Sequence, residues 1–232
     1  NNIYVNNHYA YKDQAFKKMN LELIKMGANF DAIGVQTHMH TKQNRLSEEG
    51  LLKLLEEYRV IGKPLHLTEI SVTSSIPFNN WRDFRPHVKA LKKAKPREKR
   101  LELARKSVMK IEKYQADYLK DFYTLAFSHS NVGSIIYWSG SDLYEWRGTA
   151  AGLLDIKQNP KPAYHVLKKL IQKDWHTSVS KTTSKHGKYS FFGFYGEYIG
   201  KIFLNGKEQT FKFYHEPQKT KQKIINLNLN LE

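Results

Sequence analysis

Pro64-Leu65-His66-Leu67-Thr68-Glu69-Ile70-Ser71-Val72 is the stretch on which the fold turns. Leucine, isoleucine and valine run along its whole length, which reads as a strand covered on both faces rather than one with a solvated side. Glu69 stands at the end of this apolar run, where an unpaired carboxylate is costly to bury. Either it does chemistry there or one of the many cations holds it in a structural ion pair.

The same unit repeats on either side. Upstream, Ile3-Tyr4-Val5 opens a short strand, and residues 12–26 carry Phe16, Met19, Leu23 and Met26 at helical spacing until Gly27 stops the pattern. Asp31-Ala32-Ile33-Gly34-Val35-Gln36-Thr37-His38 reads as a buried strand; Ser47 then caps a helix with Glu48 and Glu49 in its first turn, ended by Gly62. Downstream of Glu69 come a loop rich in Ser, Pro and Asn, a long helical pattern over residues 97–128, a fourth strand at 132–139, and a helix that Pro162 opens and that runs to about residue 173.

Four strand–helix units in succession predict an α/β fold with a parallel sheet covered by helices. A doubly wound sheet normally carries a Gly-rich phosphate loop after its first strand, and none occurs here. In a (β/α)8 TIM barrel, polar residues collect at the carboxyl ends of the strands. These strands end in Asn6-Asn7-His8, Gln36-Thr37-His38, Thr68-Glu69 and Trp138-Ser139, so the barrel accounts for them better. A whole barrel needs eight units in about 250 residues. Residues 1–174 supply four, and are expected to form a partial barrel domain.

After Trp175 the composition shifts to aromatics, Gly, Lys and period-two alternation, as in Tyr189-Ser190-Phe191-Phe192-Gly193-Phe194-Tyr195-Gly196 and Ile225-Asn226-Leu227-Asn228-Leu229-Asn230-Leu231. Residues 175–232 are therefore expected to form a small antiparallel β module. Asn205-Gly206, after Ile202-Phe203-Leu204, is a type I′ hairpin signal.

Composition bounds the rest. The chain has 232 residues, 40% of them hydrophobic, which excludes a disordered chain. No run approaches the roughly 18 apolar residues of a membrane span. The absence of cysteine excludes a disulfide scaffold, a thiol nucleophile and thiolate metal sites. Nothing at the start resembles a signal peptide, and a chain opening on Asn1 reads as lacking its natural beginning. Of the net charge of +16, half lies in residues 89–113. Clustered cations can bind nucleic acid, but without a recognition motif beside them a solvated helix face is the better reading.

At the strand ends, His38 and His40 form a His-x-His pair on one face of an extended segment, which could bind a divalent metal with Asp142 and with His8 as the other convenient ligand, since His66 lies inside its strand. That makes a metal-dependent hydrolase barrel one candidate. Trp138 and Trp146 flank the loop Ser139-Gly140-Ser141-Asp142-Leu143-Tyr144-Glu145, and indole faces at a barrel mouth are platforms for sugar rings. Amides, imidazoles, tryptophans and a buried Glu together point to a carbohydrate site.

Several motifs, in order and spacing, resemble the second half of glycoside hydrolase family 10, the endo-1,4-β-xylanases. They are Asp31 to His38, Leu67-Thr68-Glu69-Ile70, Ile136-Tyr137-Trp138-Ser139-Gly140-Ser141-Asp142-Leu143-Tyr144-Glu145-Trp146-Arg147, Gly152-Leu153-Leu154-Asp155 and Asn159-Pro160-Lys161-Pro162-Ala163-Tyr164, within about residues 2–173. The resemblance implies the C-terminal half of the barrel, strands five to eight. It implies Glu69 as the nucleophile of a retaining xylanase, His38 as its hydrogen-bonding partner, and Gln36, Asn7, His8, His40, Trp138 and Trp146 around the substrate. It implies no cofactor and no metal, with xylan or a related β-1,4-linked polysaccharide as partner rather than nucleic acid or membrane, and a secreted or periplasmic monomer when complete.

Two positions depart from the family pattern: Ser71 stands where an Asp usually supports the histidine, and His8 replaces a tyrosine. The family's acid/base Glu belongs to the fourth strand, upstream of these motifs, so the chain by itself is expected to be inactive, with Glu145 a remote substitute. A noncatalytic polysaccharide-binding protein is the alternative.

Overall fold

A computed structural model describes residues 4–7, 14–74, 79–93, 95, 97–99, 102, 109–147, 149–216 and 226, which fall in two compact units, 1–170 and 171–232. The basic stretch 89–113 lies partly outside the described residues, as do His8 and all of the alternating segment 225–231 except Asn226.

The first unit holds strands β1 (Tyr4–Asn7), β2 (Ala32–Val35), β3 (His38–Met39), β4 (Leu65–Val72) and β5 (Val132–Tyr137), with helices α1 (Gln14–Lys25), α2 (Glu48–Arg59), α3 (Trp81–Lys93), α4 (Met109–Ser128) and α5 (Pro162–Lys169) between and after them. All the strand pairings are parallel, in the order β1-β2-β4-β5, and β3 continues the β2 line to pair with the end of β4. Helix α2 forms because Leu51, Leu54, Leu55 and Tyr58 recur on one face, all buried. Ser47 caps it by accepting the Gly50 N–H at 3.0 Å, and Glu48 and Glu49 sit against its positive end. Across the sheet these side chains join Ile33, Val35, Leu65, Leu67, Ile70 and Val72 with Leu119, Phe122 and Ala126 of α4 in one core.

β4 does not alternate evenly. Against β5, Leu67 pairs with Ile135 but Ile70 pairs with Tyr137, so three steps on one strand oppose two on the other, a β-bulge. The bulge changes parity: Leu65, Leu67, Ile70 and Val72 are all fully buried, and Glu69 and Ser71 are thereby put on the face that also carries His66 and Thr68. On that face Tyr4, Ile136 and Trp138 are exposed.

Helix α3 occupies a stretch that reads as loop, because Pro86 lies inside it and Ser, Pro and Asn precede it. It forms where Asn80 accepts the Asp83 N–H at 3.1 Å and Phe84 is buried. The long helical pattern over 97–128 is described as a helix from Met109 on. The last helix, expected to reach residue 173, is α-helical to Lys169 and then widens into a π turn over Leu170–Asp174. No helix among the described residues is long and apolar enough to cross a membrane.

The segment from Ser139 to Lys161 is clamped by a buried ion pair. Lys161 Nζ lies 3.1 Å from Asp142 Oδ2, and also donates to Ser74 Oγ at 2.8 Å and to the Ala150 carbonyl at 3.1 Å. Asp142 Oδ1 accepts the Gly152 N–H at 2.7 Å, and only glycine allows this approach, because a Cβ there would collide with the Asp142 backbone nitrogen. Burial pushes the Asp142 carboxyl above its ordinary range, and Lys161 opposes that push.

The second unit is a hairpin, β6 (Gly196–Leu204) and β7 (Lys207–His215), antiparallel throughout. Both turn residues, Asn205 and Gly206, have positive φ (50° and 77°), as a type I′ turn requires. Tyr198 and Phe213 stack across the strands at 4.9 Å. Residues 189–194, which alternate as a strand would, are irregular instead, and none of the described residues of this unit is buried. A two-stranded hairpin by itself offers little apolar surface to hold a third strand.

Removing either member of the buried pair, by Asp142→Ala or Lys161→Met, is expected to lower stability by about 3–5 kcal/mol, since it strands the other charge; chemical denaturation measures this. Burial also holds the His66 imidazole below its ordinary pKa. The folded form then binds fewer protons than the unfolded one in that window, so His66's contribution is complete above the ordinary histidine range and is lost as pH falls. Denaturation at a series of pH values should show a shallower acid loss in His66→Phe than in the wild type.

Candidate active site

The parallel pairing of β2 and β3 with β4 builds the site. Ile33 pairs with Leu65, Val35 with Leu67 and His38 with Ser71, while the Thr37 N–H donates to the Glu69 carbonyl at 3.3 Å. Period-two alternation puts Gly34, Gln36, His38 and His40 on one face, and the bulge puts Glu69 and Ser71 on the same face of the neighbouring strand.

Each oxygen of Glu69 has a partner. Gln36 Nε2 donates to Oε1 at 2.7 Å and His38 Nε2 lies 3.0 Å from Oε2. With its side chain 19% exposed and His38's only 2%, the carboxylate shows one edge to the open face while His38 stands behind it. Such an arrangement holds the carboxylate in one rotamer with an edge turned to the open face.

Behind His38 a chain of hydrogen bonds runs inward. His38 Nδ1 is 2.7 Å from Ser71 Oγ, Ser71 Oγ is 2.9 Å from His40 Nε2, and His40 Nδ1 is 2.7 Å from Thr149 Oγ1. The Thr149 N–H donates to Glu145 Oε2 at 2.7 Å. Ser71, His38, His40, Thr149 and Glu145 are all buried. Burial pushes the Glu145 carboxyl above its ordinary range, partly offset by Thr149 and Arg147.

His40 therefore sits within the protein, both ring nitrogens engaged and its ring stacked on Phe84 at 6.1 Å, rather than at the open face. The metal candidate finds no cluster of donors: His38 and His40 both turn a nitrogen to Ser71, and no group of three His, Cys, Asp or Glu able to hold an ion occurs among the described residues. Asp142 is bound to Lys161, and His66 packs against Tyr4 at 5.0 Å.

Trp138 and Trp146 each make an edge-to-face contact with His38, at 6.5 and 5.8 Å, and are half exposed. The Arg147 guanidinium lies 4.0 Å from the centre of the Trp146 ring and 5.4 Å from that of Trp81, covering one face of each indole. Directly after Trp138, Ser139 adopts φ +87°, a strained conformation for a residue with a Cβ, at the point where the chain leaves the sheet for this loop. Asn7 ends β1 opposite Val35, and its neighbour Asn6 is the residue that Thr68 Oγ1 contacts, at 3.1 Å.

Thr149 and Trp81 carry no signal in the sequence that would single them out, since each lies in a loop or helix start far from the strand it serves, and Arg147 enters only as the last residue of a motif, with no role assigned. Ser71 and Glu145 are visible in the sequence, but not the side chains that join them.

The chain resembles known proteins. An endo-1,4-β-xylanase A of Caldicellulosiruptor saccharolyticus is 27% identical over 173 residues, 70% of this chain and 44% of that protein. An anti-sigma-I factor of Acetivibrio thermocellus is 25% identical over 186 residues, 80% of this chain and 19% of that protein. Among solved structures, xylanase 10B of Thermotoga petrophila in complex with xylobiose superposes with a TM-score of 0.52 at 23% identity, covering 74% of this chain and 46% of that one. Xylanase B of Clostridium stercorarium superposes with a TM-score of 0.54 at 19% identity, covering 72% and 46%. The chain thus spans less than half the length of each of these relatives. Its sheet and helices are a fragment of a (β/α)8 barrel, and, with residues 1–170 matching the glycosyl hydrolase family 10 profile, the chain belongs to that family.

Proposed function

We propose that this chain is the strand-five-to-eight half of an endo-1,4-β-xylanase barrel that cleaves β-1,4-xylan with retention, with Glu69 as nucleophile. The observation that carries the reading is Glu69 itself, an edge-exposed carboxylate held through one oxygen by Gln36 and through the other by His38. In a retaining mechanism the carboxylate attacks the anomeric carbon, while a second carboxylic acid about 5–5.5 Å away protonates the leaving oxygen and later activates water. His38 and Gln36 hold the attacking oxygen in line and stabilise its charge until the ester forms. Trp138 and the uncovered face of Trp146 stack on sugar rings flanking the cleaved bond, with Asn7 at the neighbouring strand end and His8, the next residue in sequence, as a further substrate contact. The relatives named xylanase, one of them bound to xylobiose, support the choice of polymer.

The second carboxyl comes, on this reading, from a segment outside these 232 residues. Of the acidic residues in the described strand ends and the loop after β5, Glu69 faces the open site, Asp142 and Glu145 are buried and engaged, and Asp155 accepts from Asn159 and the Lys157 N–H within its own turn. The face bearing Tyr4, Ile136 and Trp138 is the barrel interior, to be covered by strands one to four, and the completed barrel acts as a monomer on a polymer met outside the cell, in a secreted or periplasmic setting. Residues 175–232 form a separate β module. One relative is an anti-sigma-I factor rather than an enzyme by name, so a second reading is a protein that binds the polysaccharide without cutting it.

Glu69→Gln in a protein containing this chain and a complete barrel should lower xylan hydrolysis by several orders of magnitude with little change in oligosaccharide binding, and near wild-type turnover would remove Glu69 from the nucleophile's role. Trp146→Ala should weaken xylo-oligosaccharide binding about ten-fold, ~1.4 kcal/mol, with a small change in melting temperature; calorimetric titration and thermal melting separate the two. The 232-residue chain, assayed alone, should release no reducing sugar from xylan at an enzymatic rate.

A further inference from the structure

Arg82, Arg85, Lys89 and Lys93 of α3 are all exposed. At 3.6 residues per turn they fall within about 80° of arc and over roughly 16 Å of helix axis, on the side away from the buried Phe84. Successive members stand three or four residues apart, so Arg82 repels Arg85, Arg85 repels Lys89 and Lys89 repels Lys93. Arg82 also lies in the first turn, against the positive end of the helix dipole. The acid of this helix, Asp83, is turned to Asn80 at the helix start. No ion pair engages the four cations among the described residues.

A face that merely meets water does not need this layout, and the other helices avoid it. On α1, α2 and α4 a cation lies against an acid one turn away, Lys25 on Glu22, Arg59 on Glu56 and Lys113 on Asp117. Helix α5, which has no acid, keeps Lys168 and Lys169 in its last turn, where the dipole favours them. The row on α3 instead works against its own helix, and a polyanion laid along it relieves the repulsion.

The row begins at the open site. Trp81, the first residue of α3, is exposed and lies 5.4 Å from the Arg147 guanidinium, which in turn covers a face of Trp146. Phe84 fixes this start, meeting Trp81 at 5.2 Å and stacking on His40. A chain seated on Trp138 and Trp146 that leaves the site past Trp81 therefore runs onto the cations. We propose that Arg82, Arg85, Lys89 and Lys93 bind carboxylate groups carried by the polysaccharide, so that the polymer taken is an acidic, uronate-substituted xylan. Arginine receives a carboxylate through two parallel N–H donors and lysine as a point charge. Exposed pairs are weak singly, so the row acts through number. The sugar backbone in this inference rests on the proposed function; the anion-binding row does not.

The test compares binding of glucuronic-acid-substituted xylan with binding of the same xylan after its carboxyl groups are reduced to alcohols. The protein is one containing this chain and a complete barrel, carrying Glu69→Gln so that neither polymer is cut. At low ionic strength the acidic polymer should bind about ten-fold more tightly than the reduced one. That advantage should vanish at about 1 M salt, where charges are screened within about 3 Å. Adding Arg82→Gln, Arg85→Gln, Lys89→Gln and Lys93→Gln together should abolish the advantage and leave affinity for the reduced polymer unchanged. Equal affinity for the two polymers before those four changes overturns the proposal, and needs no α3 variant that folds; an advantage that survives the four changes also overturns it. Double-stranded DNA bound more tightly than the acidic xylan through the same four residues overturns it as well, and assigns the row to nucleic acid. If neither xylan binds, the xylanase reading falls too, whereas a reduced polymer bound as tightly as the acidic one removes the uronate and leaves that reading intact.

Discussion

The pairing of β4 with its two neighbours is the constraint on which the site depends. On one side His38 pairs with Ser71, and on the other the bulge between Leu67 and Ile70 lets one strand gain a residue on the other. Without that extra residue the alternation begun at Leu65 would send Glu69 and Ser71 toward α2 and α4, into apolar surroundings with no partner, and bring Ile70 to the open face. A parity error of one residue exchanges every side chain between faces. The bulge therefore serves burial and chemistry together: it keeps four aliphatic residues in the core and turns a carboxylate out of it.

A carboxylate set at the margin of such a core needs donors, and this chain supplies them in depth rather than in number. Gln36 and His38 are the immediate partners, and Ser71, His40 and Thr149 follow in turn, until the series ends on the backbone N–H of Thr149 against Glu145. The family's usual aspartate would have put an acceptor directly behind His38. Here the position is Ser71, which can either give or accept a hydrogen, and the next carboxyl group, Glu145, lies three residues deeper. A buried polar series is stable only if complete, which is why a second histidine and a loop threonine accompany the serine.

The loop after β5 is held by the other buried charges. Lys161 and Asp142 fasten the start of α5 to the loop, and Ser74 ties both to the end of β4. Tyr137 adds a bond from its hydroxyl to the Ala151 carbonyl, and Gln115 of α4 donates to Val72 at the end of β4. The same loop presents Trp146 beside Arg147 and carries Glu145 to the far end of the histidine pair. Its rigidity is thus shared between the open face, where an indole must keep its orientation, and the interior, where a carboxylate must keep its distance.

The sequence by itself determined the strands, most of the helices, the polar residues at the strand ends and the type I′ turn at Asn205-Gly206. Each of these depends on periodicity or on the backbone preference of one or two residues, which are local properties. It also marked Glu69 as a carboxylate that would need a reason to be where it is. Tertiary structure alone decided the parity of β4, the helix over Trp81–Lys93 despite Pro86, the engagement of Asp142 by Lys161, and the inward place of His40. These rest on contacts between distant residues: His40 and Thr149 are separated by 109 positions, and Lys161 and Ser74 by 87. Whether a polar side chain faces an open site or completes a buried series depends on which strand lies beside it and in what register, and that is settled only when the sheet is assembled.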